Sequence, residues 1–155
     1  MFAGATVPPG DTILVPAYGI LKTAKKRKTQ VFVLRSTNGG NSFTQHAIPG
    51  NASNESTIVW HPSGVAVVII RSVAGPIFVS RSLNRGKTWF APISAGFEGS
   101  PLHALCLRSG TIACAYADRW KTVRSEPRPV PTPVRHGEST VRKSYIAIYR
   151  NRRRS

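Results

Sequence analysis

Two nine-residue segments of the chain match each other. Arg35-Ser36-Thr37-Asn38-Gly39-Gly40-Asn41-Ser42-Phe43 and Arg81-Ser82-Leu83-Asn84-Arg85-Gly86-Lys87-Thr88-Trp89 both read S-x-N-x-G-x-[S/T]-aromatic, with the serines 46 residues apart. The residue types suit a tight turn between two strands. Ser and Asn side chains bond nearby backbone amides, and Gly supplies a positive φ. Ser or Thr and the aromatic ring then begin the next strand. A repeat of this period fits a four-stranded propeller blade of ~40–50 residues.

The rest of the chain agrees with an all-β reading. Short runs rich in Val, Ile, Leu, Phe and Tyr predict strands over Thr12–Tyr18, Gln30–Ser36, Phe43–Ile48, Ser56–Trp60, Val65–Arg71, Ile77–Ser82, Thr88–Ile93, His103–Leu107 and Thr111–Tyr116. The 13 Gly and 12 Pro supply turns between them, and no window holds a helical apolar period. At 155 residues the chain is long enough for one domain of two to three blades, and too short for a closed six-bladed ring. No apolar run approaches the ~20 residues of a membrane helix. The first residues lack the basic-then-apolar pattern of a secretion signal.

Charge divides the chain. Residues 1–119 hold 12 Lys/Arg and 4 Asp/Glu, and residues 120–155 hold 10 and 2. The second part is a basic, Pro/Arg-rich tail, expected to be poorly ordered, in which Ser144–Tyr149 alone resembles a strand. A net charge of +16 invites a nucleic-acid reading. The basic runs carry no interleaved aromatics, which counts against specific single-strand binding, and no membrane partner is expected. A two-residue turn at Ser109-Gly110 would set Cys106 opposite Ala113 and Leu105 opposite Cys114. The two sulfurs then point to opposite faces, both as small buried apolar groups without a disulfide.

The paired motifs resemble the Asp-box, or bacterial neuraminidase repeat, with Asn in place of the usual Asp. Wider stretches are similar to non-viral sialidases: Leu14-Val15-Pro16-Ala17-Tyr18-Gly19; Asn54-Glu55-Ser56-Thr57-Ile58-Val59 followed by an apolar strand and Arg71; and Gly110–Arg119. The resemblance covers about residues 10–119, so 1–119 reads as a propeller segment and 120–155 as its tail. It implies a partial six-bladed β-propeller of the exo-α-sialidase class, which releases terminal sialic acid. In that family a Tyr nucleophile is activated by a Glu, and three arginines hold the substrate carboxylate.

By this resemblance Glu55 is the catalytic base, and Arg71 and Arg119 are carboxylate-binding residues. Ser36, Asn38, Gly40, Ser42 and Phe43, with Ser82, Asn84, Gly86, Thr88 and Trp89, are structural. No counterpart of the Tyr nucleophile, the acid/base Asp or the first arginine is assigned; Tyr145 and Tyr149 lie in the unmatched tail. The segment alone is expected to be inactive. His46, His61, His103 and His136 lack metal-ligand spacing, and no cofactor is expected. Trp60 and Trp120 are read as core rather than sugar platforms. The expected partners are a sialylated or other acidic glycan, and missing blades or self-association through exposed blade edges. A non-catalytic carbohydrate-binding or structural propeller segment is the alternative.

Overall fold

A computed structural model describes residues 4–20, 29–50, 54–72, 75–99, 102–117 and 144–149. Among the described residues ten strands form three antiparallel sheets, and there is no helix. The first sheet holds β1 (Ile13–Ile20), β2 (Thr29–Ser36) and β3 (Thr44–Ala47) in that order. The second holds β4 (Ser56–His61), β5 (Val65–Ile70), β6 (Phe78–Ser82) and the two-residue β7 (Ile93–Ser94). The third holds β8 (Leu102–Cys106), β9 (Ile112–Ala117) and β10 (Ser144–Tyr149), with β9 central.

The sheets stack face to face, and the second sheet is the middle layer. Strand alternation sends Ile58, Val68 and Ile70 to one face, where they meet Leu14, Val31 and Val33 of the first sheet. Val59, Val67 and Ile69 point the other way and meet Ala104, Ile112 and Cys114 of the third. Both faces of β5 are therefore covered, which accounts for a strand (VAVVII) without a polar alternate position. This all-β stack of small antiparallel sheets is consistent with a partial β-propeller-like fold.

The repeat extends into register. Leu14 pairs with Arg35 and Val67 pairs with Arg81, so Leu14 and Val67 hold the same place in their sheets. Ile48 N donates to Val31 O, and Ala95 N donates to Ile77 O, in the same way. In each case these residues face the sheet that follows.

Two expectations are corrected. The strand predicted over Thr88–Ile93 is reduced to Ile93–Ser94. Thr88 N is held by the preceding turn, Trp89 turns into the core, and Pro92 has no amide hydrogen. The cysteine hairpin is also one residue out of the expected register. Leu107 N donates to Thr111 O, and Gly110 is left-handed at φ 79°, so three residues rather than two make the turn. Cys106 then pairs with Ile112, and Ala104 with Cys114. A slip of one residue exchanges faces, so both cysteines lie on the face that packs against the second sheet. Both thiols are free; Cys114 is buried and Cys106 only partly so.

Ser144–Tyr149, expected as the one strand of the basic tail, runs antiparallel to β9 from Ser144↔Ala117 to Tyr149↔Ile112. The remaining positions of the tail, including Trp120 and His136, lie outside the described residues.

Candidate functional site

Glu55 and Arg71 meet at one end of the middle sheet. Glu55 immediately precedes β4 and Arg71 immediately follows β5. The ladder continues past its last strand pair, Ser56↔Ile70: Arg71 N donates to Glu55 O at 2.9 Å, and Asn54 N donates to Arg71 O at 3.2 Å. This places the two side chains on adjacent chains, and Arg71 Nη1 donates to Glu55 Oε2 at 3.2 Å. The side chains are 16% and 25% exposed, so the pair is partly desolvated yet open to solvent.

One guanidinium nitrogen is engaged by Glu55 in this ion pair, while an arginine carries five N–H donors in a planar fork. The arrangement can offer further donors to an outside carboxylate, and it can release Glu55 when such a group competes for Arg71. Close by, Ser56 Oγ, Thr57 Oγ1 and Ser72 Oγ are buried without hydrogen-bond partners. The same pair has a plainer role, closing the end of the β4–β5 ladder. Arg119 lies outside the described residues, as do positions 51–53 and 73–74 that flank the pair.

The two motif turns have one geometry. In the first, Ser36 Oγ donates to Asn38 Oδ1 and accepts from Asn38 N and Gly40 N, the latter at 2.9 Å. Asn38 Oδ1 also accepts from Ser42 N at 3.0 Å, and Asn38 Nδ2 donates to Ser42 Oγ at 2.9 Å. Ser82, Asn84, Gly86 and Thr88 repeat every one of these bonds. Ser36 and Ser82 are almost fully buried, so each hydroxyl satisfies backbone amides that would otherwise be orphans. The aromatic residues differ: Trp89 is buried between the first two sheets, whereas Phe43 is 44% exposed. Trp60 is partly buried against the same core, as expected of a packing residue.

Sequence reasoning missed how the second turn docks on the first sheet. Arg35 Nε donates to Arg85 O at 2.8 Å, and His46 Nδ1 bonds Lys87 O at 2.8 Å. A Cβ on Gly86 would lie 2.7 Å from Leu14 Cδ2, so glycine allows the turn to approach. A second clamp joins the second and third sheets. His61 Nε2 donates to Gly110 O at 2.9 Å, while Nδ1 accepts from Ser63 N at 3.1 Å and pairs with Ser63 Oγ at 2.6 Å. The carbonyl acceptor fixes which imidazole nitrogen carries hydrogen. In sequence these are ordinary polar residues of strands and turns, and no local pattern marks them.

No protein-family model matches the chain, and no curated protein does. Solved structures do match in fold. A protein of unknown function from Dyadobacter fermentans aligns with a TM-score of 0.65 at 25% identity, over 77% of this chain and 34% of that one. A point mutant of the NanB sialidase from Streptococcus pneumoniae aligns with a TM-score of 0.54 at 18% identity, over 73% of this chain and 18% of that one. The chain thus spans about a third or less of the length of these proteins. The likeness to the sialidase is one of fold.

Proposed function

We propose that this chain is a segment of a sialidase-like β-propeller and that its Glu55–Arg71 end receives the carboxylate of an acidic sugar such as sialic acid. The observation that carries the reading is Arg71 at a strand end, its side chain mostly buried but still in reach of solvent, with one guanidinium nitrogen on Glu55. A planar guanidinium can bind both oxygens of a carboxylate, which an ammonium cannot reproduce. The fold likeness to a sialidase supports the choice of sugar.

In this reading the sugar carboxylate competes with Glu55 for Arg71. Glu55, released, is the base that takes the proton of a tyrosine hydroxyl as that oxygen attacks the anomeric carbon; the glycosidic C–O bond breaks and the acid/base aspartate protonates the departing alcohol. Arg119, which follows β9 in sequence as Arg71 follows β5, is a second carboxylate ligand. The tyrosine, the acid/base aspartate, a first arginine and the blades that close a six-bladed ring come from elsewhere. The chain by itself therefore binds an acidic sugar without turning it over.

The test is saturation-transfer NMR of the chain with sialyllactose and, as control, lactose. Sialyllactose should give a signal that lactose does not, and Arg71→Lys should weaken binding about tenfold, or ~1.4 kcal/mol. Equal signals from both sugars, or no change in Arg71→Lys, would sink the carboxylate assignment and leave a structural propeller segment as the better description.

A further inference from the structure

The middle sheet carries two kinds of face, and the outer sheets each leave one of them open. Its forward face (Val59, Val67, Ile69) packs against the third sheet, and its backward face (Ile58, Val68, Ile70) packs against the first. Register transfers these labels. The first sheet uses its forward face inside the chain, through Leu14 and Val33. Its backward face holds Val15, Phe32 and Leu34, in the places of Val68, Phe78 and Ser80, and these three are half-buried only. Phe43 completes that face. Its counterpart Trp89 is buried by a preceding sheet, while Phe43 stands 44% exposed.

The third sheet is the reverse case. Its backward face packs inward through Ala104, Ile112 and Cys114. On its forward face Leu105 is 49% and Leu107 is 43% exposed, and Leu105 pairs with Ala113 on the same side. The chain therefore presents an open forward face at one end and an open backward face at the other. The same two kinds of face already meet twice within it.

We propose that two copies of this chain associate head to tail, the third sheet of one copy stacking on the first sheet of the next. The inference does not rest on the sugar-binding reading. The contact is heterologous, so it closes into a ring where the rotation permits and otherwise continues as a stack. Each copy carries +16, so like-charge repulsion opposes an apolar contact, and added salt tightens it.

The experiment is a light-scattering mass of the full chain across a dilution series, at low and raised salt. We expect a particle of two or more chains that gains mass with concentration and with salt. Leu105→Asp and Phe43→Asp, at exposed positions on the two open faces, should each hold the chain at one copy. An equimolar mixture of the two variants should form a two-chain particle, because each still has the face the other lacks. A variant that had merely unfolded would not be rescued in this way. A wild-type chain that stays at one copy throughout overturns the proposal. So does an assembly that dissociates as salt rises, or a single variant that associates as the wild type does.

Discussion

Arg85 holds a left-handed backbone (φ 55°) at the place in its turn that Gly39 holds (φ 65°) in the other. Among the described residues it is the only non-glycine with a positive φ. A side chain in this region costs roughly 1–2 kcal/mol, and glycine gives part of that back in unfolded-chain entropy. Arg85→Gly should therefore stabilise the chain by up to about 1 kcal/mol. The bond from Arg35 Nε to the residue 85 carbonyl survives the change. A rise in the urea midpoint at constant slope is the expected result; a fall would mean that the Arg85 side chain contributes more than the strain removes.

The serines of the turns carry more. Each accepts two backbone amides while buried. Ser36→Ala or Ser82→Ala leaves those donors without partners, at a cost of about 1–3 kcal/mol each. Asn84→Asp keeps the Oδ1 acceptor for Thr88 N and loses only the bond from Nδ2 to Thr88 Oγ1. Urea unfolding should rank Asn84→Asp well above Ser82→Ala in stability. The opposite order would contradict the hydrogen-bond assignment.

These turns were legible in the sequence because their bonds close within four residues. The apolar run of β5 was legible for a related reason, since burial on both faces removes every polar alternate. What lay beyond local reading were relations between distant residues. Arg35 and Arg85 are 50 residues apart, and His46 and Lys87 are 41 apart. The cysteine register turned on one backbone angle at Gly110, which Ser109-Gly110 does not specify by residue type alone. At the candidate site, the resemblance pointed to Glu55 and Arg71 separately. That each is the other's partner comes from the β4–β5 pairing.

Gly110 also tests the clamp between sheets. It is left-handed, and a Cβ there would lie 2.8 Å from His61 Nε2. Gly110→Ala should destabilise through both effects, by roughly 1–3 kcal/mol. His61→Ala removes the clash but not the backbone strain. The double variant should thus be more stable than the sum of the two single changes predicts. Strict additivity in thermal unfolding would show that the imidazole does not press on Gly110.

The thiols should differ in reactivity. Burial pushes Cys114 up to about 11 from 9.0 and raises Cys106 as well. Near pH 8 a thiol at 11 carries about a hundredfold fewer thiolates than one at 9. Iodoacetamide should label Cys106 first and Cys114 only slowly, as read by peptide mass spectrometry. The sign for stability follows: the unfolded thiols ionise above about 9 while the folded Cys114 does not, so stability falls as pH rises from about 9 to 11. Equal labelling rates in the folded chain would contradict the burial of Cys114.

The double-faced middle sheet also bears on synthesis. Translation delivers residues 56–82 after the first sheet but before the third. The Ile58, Val68 and Ile70 side can be covered as soon as it emerges. The Val59, Val67 and Ile69 side waits until residues 102–117 have left the ribosome. During that interval Val65–Ile70 is an uncharged, proline-free run, β-branched except for Ala66, with one side bare, a composition prone to pairing with a neighbouring nascent chain. The strand that ties the two cores together is thus also the segment where a stalled or crowded polysome would first lose the fold.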